Sequence, residues 1–355
     1  MKRLPHAPGG LAILGLGLCS PVGLTARMTQ VEWAAAASRF RFSQVVDGAR
    51  RPVIASALTL LEPQLSRTER MAAMAVTALG ECLRTGHAEK AEQLPLVLSL
   101  PEPDSGAPVQ EAALLQALRD AAGSVRLEVP SSGLWTEGRA GFFSALAQAT
   151  EFLRSRRYSR VVVGAVDSMC DASSLRHLSR KNRIQGPTQR DGIIPGEGAG
   201  FFLLASAAAL DVRGPKPRGW VVAHTLAEER HHFHQEEPNL ADGLTEAFRE
   251  LRLNPMLGGR RVDEILSCQT GESFWAREFQ WASLRNASLM PEPLVVRLTA
   301  EAMGDAGASA GALGVGLALH QVGRLEPTHG QAARVLVYGC SDTGRVGACV
   351  IEGAK

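Results

Sequence analysis

The chain has 355 residues, 45% of them apolar and 21% charged, and a net charge of +2. That balance suits a globular α/β protein with a large core, and no Lys/Arg block is long enough to mark a nucleic-acid or membrane-surface partner. Six cysteines at 19, 82, 170, 268, 340 and 349 form no C-x-x-C pair and no short-range framework, which fits a reduced, cytoplasmic chain.

Lys2-Arg3 followed by the apolar run 11–19 has the outline of a short signal peptide. Glycines interrupt the run and a Ser20-Pro21-Val22-Gly23 turn follows, so a buried first strand over 11–18 is the better reading. No run reaches the ~18 apolar residues of a membrane span. Residues 66–83 read as a helix: Ser66 and Glu69 have capping-box spacing, and Met71, Met74, Ala75 and Leu79 form one stripe. A strand over 94–100 and a helix over 109–122 follow. Residues 125–129 alternate as a half-exposed strand does, with Val125, Leu127 and Val129 on one face. Residues 141–154 read as a helix with a basic, solvated end, and 160–166 as a strand covered on both faces. The second half repeats the rhythm, with strands at 219–224, 262–267, 294–298, 334–338 and 346–352. Its helices fall at 240–251, 272–283 and 306–319. Trp275 and Trp281 do not share a helix face, so core packing explains at least one. The chain reads as a duplicated α/β unit, with the Pro/Gly-rich stretch 212–218 dividing 1–211 from 212–355.

The segment Arg190-Asp-Gly-Ile-Ile-Pro-Gly-Glu-Gly-Ala-Gly200, with the apolar strand after it, resembles a glycine-rich turn of the β-ketoacyl synthases, a branch of the thiolase-like superfamily. Residues 11–23 resemble that family's opening strand and turn. Val161-Val-Val-Gly-Ala-Val-Asp167 resembles the strand after the nucleophile helix, and Trp135-Thr-Glu-Gly-Arg-Ala-Gly141 the elbow that carries the cysteine. The resemblance runs over nearly the whole length. It implies a thiolase fold: two βαβ-type halves in an α-β-α-β-α sandwich, usually a dimer.

Condensation in that family needs a cysteine activated at a helix N-terminus. It also needs two histidines, or a histidine and an asparagine, and a pair of N–H groups as oxyanion hole. Against the elbow pattern Thr-x-Cys-x-x-Gly the chain reads Thr136-Glu137-Gly138-Arg139-Ala140-Gly141, so Gly138 takes the cysteine's position. Glu137 offers a carboxylate, but at a helix start such a group usually serves the dipole. At the first histidine stands Cys268, followed by Gln269, Thr270 and Gly271. It reads either as a displaced nucleophile or as a small buried residue at a strand end. The pattern Thr-Lys-x-x-x-Gly-His becomes Thr299-Ala-Glu-Ala-Met-Gly304-Asp305, with Ala300 for the lysine and Asp305 for the histidine. Asp305 there reads as an N-cap. The loop 338–345 matches the family's Gly-Phe-Gly-Gly gate poorly. No catalytic residue is expected, with Cys268, Glu137 and Asp305 as fallback candidates.

His231, His232 and His234 with nearby glutamates have a metal-binding composition, yet their spacing fits no ligand pattern and a solvated loop is expected. Ser144 and Ser168 lack a His-Asp context. No cofactor or metal is expected, and the glycine cluster at 190–200 need not bind phosphate. The resemblance therefore implies a degenerate β-ketoacyl synthase-like protein serving as binding scaffold or adaptor, as divergent relatives do for type VI secretion cargo. The alternatives are an acyl-thioester enzyme and a chain-length-factor-like subunit, with an acyl carrier protein as partner. A homodimer is expected, paired through the strand edge at Val125, Leu127 and Val129.

Overall fold

The computed structural model describes residues 10–187, 189–210, 214–326 and 331–354. The first half runs β1 (Leu11–Cys19), α1 (Ala26–Ala34), β2 (Arg41–Val46), β3 (Pro52–Ala55), α2 (Arg67–Thr85), β4 (Gln93–Ser99) and α3 (Glu111–Ala121). It continues with β5 (Arg126–Glu128), β6 (Leu134–Trp135), α4 (Gly138–Arg154), β7 (Arg160–Ser168), α5 (Ala172–Arg180) and β8 (Glu197–Ser206). The second half runs β9 (Gly219–Glu228), α6 (Asp242–Leu253), β10 (Glu264–Ser267), α7 (Ser273–Arg285), β11 (Val296–Leu298) and α8 (Ala300–Met303). It ends with α9 (Ala310–Val322), β12 (Arg334–Cys340) and β13 (Arg345–Gly353).

The apolar run at the start is a core strand, with every residue of β1 buried. In the main sheet the order is β11-β10-β12-β13-β9-β1-β8-β7-β4-β5, with β6 beside β4. Strand sense repeats across the β9/β1 junction. β1/β8 and β8/β7 are antiparallel and β7/β4 and β4/β5 parallel. In the other half β9/β13 and β13/β12 are antiparallel and β12/β10 and β10/β11 parallel. The division proposed from the sequence, 1–211 and 212–355, falls between β8 and β9; residues 211–213 lie outside the described residues.

Three apolar clusters set the layers. One joins α2 and α3 to one face of the first strands, through Met71, Leu79, Leu114 and Phe201. Another joins α6 and α7 to the second strands, through Phe248, Trp275 and Tyr338. Between them lies the largest cluster, with Phe142, Phe143, Leu313 and Leu317 of α4 and α9. This is the α-β-α-β-α sandwich. Because α4 touches both halves, all of 138–146 is buried. Helix α4 begins at Gly138, earlier than the expected 141. Glycines 138 and 141 weaken a helix intrinsically. Here they allow close packing, since a Cβ on Gly141 would lie 2.4 Å from Ser99 Oγ.

The capping box of α2 forms as the sequence predicts: Ser66 Oγ accepts from Glu69 N, and the Glu69 carboxylate accepts from Ser66 N at 2.8 Å. Trp275 is buried and Trp281 is 53% exposed. Strand β5 is shorter than the alternation predicts and closes the sheet as an edge strand. Val125 is buried, and Leu127 and Val129 pack partly against the α2/α3 cluster. The hairpin β2–β3 and the short helices α1, α5 and α8 were not anticipated.

Two ion pairs are sealed inside the first half. Arg70 binds Glu197 through two contacts of 2.8 and 2.7 Å, and Arg67 binds Asp167 at 2.8 Å. Glu197 has no solvent exposure and also accepts from Ser168 and from the Leu58 N–H. Arg70→Met strands that charge, so urea unfolding is expected to show a loss of about 3–5 kcal/mol. Adding Glu197→Gln is expected to return part of it.

Candidate functional site

The first turn of α4, the ends of β10 and β12, and the turn before α9 converge on the position that the resemblance assigns to the nucleophile. Gly138 opens α4 with φ +52°, a conformation that strains any residue with a Cβ. A Cβ there would lie 2.7 Å from Glu102 Oε2. Glu102 is itself held in place. Its Oε1 accepts from Thr343 Oγ1 at 2.7 Å and Thr343 N at 3.2 Å, and its Oε2 from Asp342 N at 3.3 Å.

Arg139, the next residue, is only 5% exposed. Its Nη1 donates to Asp305 Oδ2 at 2.9 Å, its Nη2 to Asp342, and its Nε to Cys340 O at 3.1 Å. The guanidinium lies 4.6 Å over the Trp275 ring, Trp275 stacks on Phe233, and Arg183 lies 4.4 Å over Phe233. Arg183 also donates to both oxygens of Glu272, at 2.9 and 2.8 Å, and to Asp342. Glu272 accepts in turn from Trp275 Nε1 at 3.0 Å. Asp342 thus bridges two guanidiniums, and two cation–π contacts close the cluster.

Little space is left. Between Glu102, Gly138, Arg139, Asp167 and Asp305 remains a cavity of about 20 Å³, room for roughly one water. Outside it lies a second cavity of about 180 Å³, lined by Asp104, His177, Lys181, His234 and Thr343. Glu102, Arg183 and Asp342 line both.

Electrostatics follow from burial. Burial opposes the Arg139 charge, but Asp342, Asp305, Glu272 and Glu102 raise its pKa well above the ordinary value. Burial would push Asp342 up as well; Arg139 and Arg183 overcome it and bring the carboxyl down to about 2. Glu102 and Asp305 go the other way. Burial and then the Asp342 charge raise Glu102. Burial raises Asp305 against the pull of Arg139.

Gly138 and Asp305 line the small cavity, and Cys268 sits close enough to feel the charges of Arg139 and Asp305. Ala300 starts α8 and is not among the lining residues. Asp305 is not the N-cap of α9 that its position predicts. Its Oδ1 accepts from Gly307 N at 2.9 Å and its Oδ2 takes Arg139, because a buried cation outcompetes a helix end for the carboxylate. Glu137 precedes α4 without capping it; it accepts from Ser144 Oγ and from Arg345 Nε. Cys268 is 2% exposed, and its thiol is pushed up to about 12, chiefly by burial. A thiolate at neutral pH is disfavoured there. The histidine loop is less solvated than its composition predicts, since Phe233 packs into the aromatic ladder. Among the described residues no His, Cys, Asp and Glu are grouped to hold a metal. No described helix is long and apolar enough to cross a membrane. The sequence reading missed Glu102, Arg183, Glu272 and Asp342. Arg139 stood inside the elbow motif, and a charge in a stretch of otherwise small residues, Gly138, Ala140 and Gly141, was the available signal.

The sign of the Asp342 contribution is set by its lowered pKa. Stabilisation is full above the ordinary value of 3.8 and is lost as pH falls through about 2. Asp342→Asn is expected to unfold more easily than the parent by about 2 kcal/mol near neutral pH. In urea titrations the gap between the two proteins is expected to close between pH 4 and 2 (about the range set by the two pKa values). A gap that stays constant over that range would rule out the ion pairing.

No family model matches the sequence, and no curated protein does. Solved structures match closely in fold. The ishigamide ketosynthase/chain length factor superposes with a TM-score of 0.75 at 16% identity, covering 98% of this chain and 100% of that one. The ketosynthase from module 6 of the bacillaene synthase of Bacillus subtilis 168 gives 0.76 at 12% identity, over 98% of this chain and 72% of that one. A type II polyketide ketosynthase, solved with its acyl-carrier protein and bound to the hexaketide, gives 0.74 at 13% identity over 98% and 100%. The chain therefore has the thiolase-like fold of the β-ketoacyl synthases.

Proposed function

We propose that this protein is a catalytically degenerate β-ketoacyl synthase-like scaffold that binds a partner and performs no condensation. The observation that carries the reading is Gly138 beside the Arg139–Asp305–Asp342 cluster. Where a nucleophile would need a Cβ and an open pocket, there is a left-handed glycine against Glu102 and about 20 Å³ of space. A fatty acyl chain needs far more. The partner class implied by the resemblance is protein cargo of a type VI secretion system, with the scaffold acting as cytoplasmic adaptor.

A chain-length-factor-like subunit is the second reading. It is favoured by the likeness to a ketosynthase/chain length factor, and by the carrier-protein complex of another structural neighbour. In that reading an acyl carrier protein is the partner. Tight binding of holo acyl carrier protein without acyl transfer would favour it over the adaptor reading.

Incubation with acyl-coenzyme A and acyl-carrier thioesters, followed by intact mass and peptide mapping, is expected to show no covalent acyl adduct. An adduct on any residue would overturn the proposal, and one on Cys268 would make the protein a thioester enzyme. Gly138→Cys alone is expected to restore no carbon–carbon bond formation, since the new side chain must displace Glu102 and no histidine assists it.

The proposal includes a homodimer through the edge strand β5, whose outer backbone groups lack a partner strand among the described residues. Leu127→Pro is expected to shift light scattering from dimer to monomer at tens of micromolar, roughly where an obligate dimer stays assembled. A parent protein that is already monomeric there would remove the dimer.

A further inference from the structure

A second strand edge lies far from α4 in sequence and faces a groove. Strand β2 pairs only with β3 among the described residues, so its other edge carries unpaired backbone groups. Residues 41–45 of β2, together with Ala55 of β3, line a groove of about 440 Å³, the size of a ligand site. Its lining combines β2 residues 41–45, the segment 57–63, and Cys170, Ala172 and Leu175 at the start of α5. The wall is mostly apolar, with Val45, Ala55 and Leu58 buried. Phe42 and Leu60, which also line it, are 73% and 72% exposed.

Three charged side chains line the groove. Arg70 is committed to Glu197. Arg41 and Glu62 are exposed, and their side chains have no ion-pair or hydrogen-bond partner among the described residues. Neighbouring charges do pair: Arg39 with Glu32, and Arg51 with Asp47. The groove thus offers strand hydrogen bonds, apolar side-chain space, one free cation and one free anion. The hydrocarbon of an acyl chain would use only the second of these. An extended peptide uses all of them, as strands added to a sheet edge do. The irregularity between Phe42 and Val46, where Ser43 Oγ takes the Val45 N–H at 3.2 Å, keeps the paired run short.

We propose that the β2 edge and its groove bind a short extended segment of a partner protein, apolar at alternate positions, with a carboxylate for Arg41 and a cation for Glu62. The proposal rests on the scaffold reading only in treating a protein as the partner, and it supplies the surface and the ligand chemistry. Cys170 at the floor is a packing residue here, since burial pushes its thiol well above the ordinary range.

The test uses the full chain and two fluorescein-labelled peptides of about seven residues, near the length of a typical strand. Both alternate valine and threonine; one runs from glutamate to lysine and the other from lysine to glutamate. Fluorescence anisotropy is expected to show saturable binding of one charge order in preference to the other. Arg41→Glu and Glu62→Lys, both surface changes, are each expected to weaken it by roughly 10-fold, about 1.4 kcal/mol. Circular dichroism checks that the variants are folded. The same peptide N-methylated at alternate residues keeps its side chains but loses backbone donors, and is expected not to bind. Equal binding of the methylated peptide would overturn the proposal. So would indifference to both charge reversals, or no saturable binding of either order up to about 1 mM. These outcomes are separate from the scaffold reading: acyl transfer by the parent protein removes that reading whether or not peptides bind, and peptide failure without acyl transfer removes only the groove.

Discussion

A guanidinium in the first turn of a buried helix is an awkward thing to fold around. Arg139 sits where the helix dipole already presents positive charge, and it is almost out of reach of water. Both facts demand carboxylates, and α4 supplies none in its first turn. Asp305 and Asp342 do so from the second half of the chain. The ion cluster therefore ties the central helix of one half to two turns of the other. The direction of the Asp305 and Asp342 side chains follows from that one charge, and the Trp275 ring lies beneath it.

The cluster also supports the proposal that the site carries out no condensation. Condensation needs a nucleophile with space in front of it and groups free to change protonation state. Asp342 is committed to two arginines, and Glu102 is anchored to the turn after β12. Burial raises Glu102 and Asp305, with the Asp342 charge adding to both, while Arg139 and Arg183 overcome burial at Asp342 and lower it. A buried ion network of this kind is seldom a net source of stability, but removing one partner is costly. It joins the first turn of α4 to the turns before α9 and after β12. In the proposed scaffold reading, binding falls to the outer surface.

Much of the fold was legible in the sequence because long periodic segments carry their own signal. The stripe and capping box of α2, the apolar runs of β1 and β7, and the repeated strand order all appear where the pattern puts them. The shorter elements were not legible. α1 has a weak amphipathic pattern, and α5 and the β2–β3 hairpin depend on each other, Cys170 and Leu175 packing with Val45, Val53 and Ala55 from a distant part of the chain. That Gly138 takes the position the resemblance gives the cysteine was readable from one motif. What replaced it was not, because Glu102, Arg183, Glu272 and Asp342 are brought together only by tertiary structure. Asp305 shows the limit well: its local context predicts a helix cap, and a cation 166 positions away in sequence decides otherwise.

The dependence on Arg139 is most directly measured by a double-mutant cycle between Arg139→Met and Asp305→Asn in urea unfolding. The two side chains meet at 2.9 Å inside the protein. If the buried charge organises the site, each single change destabilises strongly and the pair couples by about 1–3 kcal/mol. Additive effects, within about 0.3 kcal/mol, would mean that the ion pair does not hold the helix to the second half, and that the site is open to other arrangements.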